Sequence, residues 1–154
     1  MFDVVEELMR LTKAFRVAGV DHALCGGLAV MVHGFIRATE DIDLLIEESD
    51  LDKARRVAAD CGFRLKGAEL PFRAGPRLAR ILKTSADNED YLVLDLLLVT
   101  DVTRSAWESR ADLETQWGPV RTISREALVA MKRQAGRPQD WVDIERLEAP
   151  DAPG

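Results

Sequence analysis

Cysteine is scarce in this chain: two residues, Cys25 and Cys61, in 154. Two thiols form neither a disulfide framework nor a metal-ligand spacing, which excludes a disulfide-stapled scaffold and a zinc module. They read as buried thiols of a protein in a reducing cytoplasm. Histidine also numbers two, so no His/Cys cluster is present for a soft metal. No apolar run approaches the ~20 residues that span a bilayer, and no membrane partner is expected. The start, Met1-Phe2-Asp3-Val4-Val5-Glu6-Glu7, carries acids where a signal peptide needs basic residues. Positive charge is not in excess, with 21 Lys and Arg against 27 Asp and Glu and a net charge of −6. That excludes a general nucleic-acid coat but leaves room for a local basic patch. Internal repeats and low-complexity linkers are absent as well.

What is present is ordinary globular composition, 47% apolar and 31% charged, which argues against bulk disorder. The length suits one domain, expected over residues 1–148, with 149–154 as a flexible tail. Val4, Val5, Leu8, Leu11, Phe15 and Val17 recur near helical spacing until Gly19. His22-Ala23-Leu24-Cys25 reads as a buried strand entering a turn at Gly26-Gly27, with a helix from Leu28 toward Phe35 closed near Gly34. Asp41 to Ile46 is a strand. Ser49, with Asp52 three residues on, reads as the cap of a helix that ends at Gly62. Three more strands are expected at 63–65, 78–84 and 91–99, the last two joined by a turn at 87–90. A short helix is expected over 104–113 and an edge strand over 119–123. Ser124 caps a helix to about Gln134. Pro138 opens a last one, with Trp141, Ile144 and Leu147 inward. The order predicts a mixed sheet with helices, an α+β fold, and not a regular βαβ repeat.

Asp41-Ile42-Asp43 carries the strongest chemical signal. Alternation along a strand puts Asp41 and Asp43 on one face, ~6.5–7 Å apart, and Ile42, Leu44 and Ile46 on the other. Two carboxylates side by side repel each other and call for a cation, although an isolated D-x-D is also simply a solvated strand end. Asp95 lies inside the apolar run Tyr91 to Val99, where an unpaired carboxylate costs several kcal/mol. Two readings follow. Asp41, Asp43 and Asp95 hold a hard divalent cation, Mg²⁺ or Mn²⁺, or Asp95 pairs with an arginine such as Arg80 on a neighbouring strand. Gly26-Gly27, at a strand-to-helix turn before the acidic strand, lets a backbone approach phosphate closely. Phosphate cradle plus metal carboxylates is the minimum kit for phosphoryl or nucleotidyl transfer.

Gly26-Gly27, thirteen residues, Asp41-Ile42-Asp43 and then Asp95 in an apolar strand resemble the nucleotidyltransferase superfamily of the DNA polymerase beta type. The stretch from Gly26 to Ala29, His33-Gly34 and Arg37 to Leu44 resembles its AbiEii-like branch of abortive-infection and toxin–antitoxin nucleotidyltransferases. So does Leu128 to Lys132 with Ala135 to Asp140 and Asp143-Ile144. The resemblance implies a nucleotidyltransferase fold, a mixed sheet flanked by helices with two C-terminal helices. It also implies Mg²⁺-dependent transfer of a nucleoside monophosphate from NTP to a hydroxyl of a protein, tRNA or other RNA, or small molecule, in the cytoplasm. Asp41, Asp43 and Asp95 become metal ligands and catalytic residues, and Gly26 and Gly27 the triphosphate site. A cognate toxin or antitoxin becomes a possible partner. The alternative is a nucleotidyltransferase-fold antitoxin or regulatory module that binds and does no chemistry.

Supporting residues divide in the same way. The resemblance implies that Lys132 reaches the triphosphate or orients the C-terminal helix, against a plain reading as a solvated lysine; Arg37 reads as a phosphate contact or as a partner of Glu40 or Asp41. Asp140 reads as a first-turn helix acid or as a catalytic residue, Asp143 as a solvated acid, and His33 as a satisfied helix-end histidine. Arg64, Lys66, Arg73, Arg77, Arg80 and Lys83, with Phe72 and only Glu69 as an acid, form a basic segment that either steers NTP or RNA or balances acids elsewhere. Trp107, Trp117 and Trp141 read as packing anchors.

Overall fold

A computed structural model describes residues 1–67 and 77–149. Phe72, Arg73 and Glu69 of the basic segment, and 150–154 of the expected tail, lie outside the described residues.

Helix α1 (Val4–Ala18) starts at Asp3, whose carboxylate accepts from the Glu6 amide, and stops at Gly19 in the left-handed region, φ 77°. Its Leu8, Leu11 and Phe15 are buried. Strand β1 (Ala23–Cys25) leads directly into α2 (Gly26–Val32), which begins on the two glycines and not at Leu28. After β2 (Asp41–Ile46), a 3₁₀ turn at Glu48–Asp50 precedes α3 (Leu51–Asp60). The expected Ser49 cap is not made, because that extra turn moves the N-cap to Asp50, which uses no side-chain bond. Next come β3 (Leu65–Lys66), β4 (Leu78–Thr84) and β5 (Tyr91–Leu98), with Asn88 at φ 59° in the β4–β5 turn.

The C-terminal part departs from the sequence reading in one place. Helix α4 covers only Arg104–Glu108, and β6 (Ala111–Thr115) replaces its expected second half. Strand β6 forms a hairpin with β7 (Gly118–Thr122). The sheet order is β3-β4-β5-β2-β1-β7-β6, so β6 is the edge and β7, the expected edge strand, is internal. The hydrophobic pattern of 111–115 is too thin to announce a strand, with four of its five residues polar or small; pairing with β7 creates it. Helices α5 (Arg125–Ala135) and α6 (Pro138–Glu148) follow as expected, with the Ser124 cap and Gly136 in the left-handed region.

The sheet is mixed. Strands β2 and β5, and β1 and β7, run parallel, and the other pairs antiparallel. Ile42, Leu44, Leu45, Ile46, Leu94 and Leu96 on the central pair are fully buried. Helices α5 and α6 pack on each other, and α5 also meets α2 and α4. Trp107 anchors this region, buried and beneath the Arg110 guanidinium at 3.9 Å. Trp117 and Trp141 are 44% and 52% exposed, so they are not the interior anchors expected. Trp117 sits in the β6–β7 turn and Trp141 in the first turns of α6.

Candidate active site

Strand register assembles the site. Leu24 and Cys25 of β1 oppose Leu44 and Asp43 of β2, Asp43 opposes Asp95 of β5, and Asp95 opposes Arg80 of β4. Cys25, Asp43, Asp95 and Arg80 therefore form one row across four adjacent strands, at the ~4.8 Å spacing of a sheet. Asp41 lies two residues before Asp43, on the same face. A one-residue slip of either strand would turn one of the acids into the core.

The acids are not equivalent. Burial is the main force raising the Asp43 carboxyl, to about 7, with the charges of Asp95 and Asp41 adding to it. Burial also raises Asp41, and Asp95 adds to that. Asp95 is buried but fully engaged: Arg80 Nε donates to its Oδ1 at 2.8 Å and Nη2 to its Oδ2 at 2.9 Å. The expected alternative partner of Asp95 is thus the one it has. Among the described residues no set of three His, Cys, Asp or Glu side chains is gathered closely enough to enclose a metal ion. The donor chemistry nevertheless fits a hard divalent cation, because Asp41 and Asp43 present carboxylate oxygens on one face, in register beside Asp95. Cys25 is no nucleophile, since burial and Asp43 push its thiol well up.

The glycine turn is packed by protein. A Cβ on Gly26, at φ +67°, would stand 2.2 Å from Asp43 Oδ2, and one on Gly27 would stand 2.7 Å from Arg37 Nη1 and 3.0 Å from Thr39 Oγ1. Both glycines are therefore required by side chains of this chain. The turn thus lies against Asp43 on one side and Arg37 and Thr39 on the other.

Arg37 and Lys132 come together, although 95 residues separate them, through Asp143. Arg37 Nη1 and Lys132 Nζ each lie 2.9 Å from Asp143 Oδ2 as ion contacts without hydrogen-bond alignment, and Gln139 donates to Oδ1 at 3.0 Å. Lys132 also reaches Asp140 at 3.4 Å, and Arg137 Nε reaches Asp140 at 2.8 Å. Asp143 is completely buried and Lys132 nearly so, which corrects the solvated readings of both. Asp140 does serve the first turn of α6, accepting from the Arg137 amide at 3.0 Å, and it is also a buried ion partner. The signal was in the helix period: positions 140, 143, 144 and 147 form one stripe, and two of them are acids. His33 is satisfied as expected, its Nε2 3.0 Å from the Ile123 carbonyl.

Arg80, Arg77 and Lys83 of the basic segment meet Asp95, Glu48 and Glu7. These three balance acids elsewhere. Sequence reasoning missed Gly67, against which the Arg80 stem lies; a Cβ there would stand 2.5 Å from Arg80 Cγ.

No protein-family model matches the sequence, and no curated protein matches it. Solved structures do. Lincomycin-bound LnuA, a lincosamide antibiotic adenylyltransferase, superposes with a TM-score of 0.69 at 18% identity, covering 94% of this chain and 96% of that one. ANT(2")-Ia in complex with adenylyl-2"-tobramycin gives 0.67 at 17% identity, over 95% of this chain and 87% of that one. At such identity the likeness establishes the fold: this chain has the nucleotidyltransferase fold, as its sequence motifs led one to expect.

Proposed function

We propose that this protein is a Mg²⁺-dependent nucleotidyltransferase that moves a nucleoside monophosphate from an NTP to a hydroxyl group. The observation that carries the proposal is the in-register pair Asp43–Asp95, with Asp41 on the same face, beside the Gly26-Gly27 turn. Asp41, Asp43 and Asp95 are the proposed metal ligands and catalytic residues. When bound, divalent ions lower the pKa of the attacking hydroxyl and stabilise the in-line transition state. The hydroxyl oxygen forms the new bond to the α-phosphorus, the α–β phosphoanhydride bond breaks, and pyrophosphate leaves. Asp95 is the proposed recipient of the hydroxyl proton. Gly26 and Gly27 offer backbone amides to the triphosphate, and Arg37 and Lys132 offer charge. Asp143 holds both cations close to the glycine turn, so they are positioned before the nucleotide arrives.

A small-molecule hydroxyl is the favoured acceptor. It is supported by the fold shared over 96% and 87% of two proteins whose structures hold lincomycin and adenylyl-2"-tobramycin. The AbiEii-like resemblance adds a protein or tRNA acceptor and a toxin or antitoxin partner as further classes. A cytoplasmic setting is part of this reading.

The Arg80–Asp95 pair favours a second reading, the module without chemistry, in which a guanidinium permanently replaces the cation. The test is thermal shift with each NTP, with and without Mg²⁺, on wild type and Asp43→Ala. Label transfer from α-labelled NTP to candidate acceptors follows, with mass measurement of the product. Metal-dependent NTP binding lost in Asp43→Ala supports the enzyme. Equal binding by both proteins removes the metal site.

A further inference from the structure

We propose that Arg80 is a resident counter-cation of the carboxylate row, bound to Asp95 in the metal-free protein and displaced from it when a divalent cation binds. This rests on the reading of Asp41, Asp43 and Asp95 as ligands.

Three observations carry it. First, both Asp95 oxygens are occupied by Arg80, at 2.8 and 2.9 Å, and among the described residues no other side chain hydrogen-bonds to them. A guanidinium and a divalent ion held on the same carboxylate repel each other, so both cannot keep their best contacts. Second, the pair is asymmetric: the Arg80 side chain is 37% exposed and that of Asp95 6%. Arg80 stands at the solvent edge and can swing out, while Asp95 is fixed in the strand. Third, Arg80 lies on a platform made for it. The Gly67 amide donates to the Arg80 carbonyl at 2.8 Å, and the missing Gly67 side chain leaves the space its Cγ and Cδ fill. Without such a cation, Asp95 would stand buried and unpaired in register beside Asp43, which destabilises the folded chain. Arg80 solves that problem in the empty state and sets a threshold for metal entry. It is a positioning residue, acting on the site through Asp95.

The experiment titrates Mn²⁺ into the full chain at pH 8, reads free Mn²⁺ by electron paramagnetic resonance, and follows melting with and without the ion. Wild type, Arg80→Met, Gly67→Ala and Asp43→Asn are compared. Arg80→Met is expected to bind Mn²⁺ about ten-fold more tightly than wild type, equivalent to about 1.4 kcal/mol, while melting lower without metal. Gly67→Ala crowds the Arg80 stem and should shift affinity the same way by a smaller factor. It keeps every charged group, so it decides the matter if Arg80→Met does not fold. Unchanged or weaker Mn²⁺ binding in these variants, with wild-type binding intact and lost in Asp43→Asn, overturns the counter-cation role alone. No Mn²⁺ binding by wild type, Arg80→Met or Gly67→Ala overturns the metal-site reading as well. Binding that appears only on substitution of Arg80 or Gly67 supports the proposal in its strongest form.

Discussion

Asp143→Asn is the sharpest perturbation of the buried ion network. The wild-type carboxylate is completely buried and holds Arg37 and Lys132, each at 2.9 Å. The amide keeps the shape and removes the charge, taking from Arg37 its Asp143 partner and leaving Lys132 with Asp140, already shared with Arg137. Breaking a buried ion pair by removing one partner costs about 3–5 kcal/mol, because the other charge stays buried. Arg37 is 20% exposed and can turn partly to water, whereas Lys132, 5% exposed, cannot, which points to the lower end of that range. A loss of ~3 kcal/mol in a chain this long lowers Tm by about 6–12 °C. Calorimetry on the metal-free protein measures it. Adding Lys132→Met removes the stranded charge, so the double variant should melt above Asp143→Asn, with a coupling of about 0.5–3 kcal/mol. A single variant melting within about 2 °C of wild type, no more than the shift expected for 1 kcal/mol, refutes the claim that Asp143 organises the two cations.

Three further outcomes can be measured directly. Gly26→Ala should cost more than the ~1–2 kcal/mol of a left-handed residue, because its Cβ also meets Asp43; urea melts should show this, together with loss of Mn²⁺ binding. Gly27→Ala should cost less, since its backbone is unstrained and the obstructing atoms belong to the Arg37 and Thr39 side chains. Asp43 is raised to about 7 in the folded chain against about 3.9 unfolded, so the native state binds the extra proton between those values. Its contribution to stability falls as pH rises from about 4 to about 7. The difference in Tm between Asp43→Asn and wild type should grow over that interval, and Mg²⁺ should oppose the wild-type loss at pH 8; a difference independent of pH would contradict the burial of Asp43.

Much of the site was legible because its logic is local. The period of two in Asp41-Ile42-Asp43 separates a carboxylate face from a core face before any partner strand is known. A carboxylate inside Tyr91 to Val99 needs a countercharge wherever the chain goes. The cap at Ser124 and the stop at Gly19 follow from residue chemistry within one helical turn. The failures share a cause. Strand β6 has no apolar alternation of its own and exists through its partner. Lys132 and Asp143 look like surface helix residues until α5 packs on α6 and both turn inward. Trp117 and Trp141 are large enough to suggest a core position, yet exposure depends on what lies opposite.

By itself, the sequence determined that three acids and a glycine pair lie on strands and a strand-to-helix turn, because side-chain alternation and backbone freedom are properties of a few adjacent residues. The tertiary structure alone decided which charges meet. Register put Asp43 beside Asp95 and Arg80 beyond it, and helix packing closed Asp143 over Arg37 and Lys132. Electrostatic energy depends on distance and burial, and neither is a function of position along the chain. One strand step out of register, one of these acids would face the core instead of its neighbour.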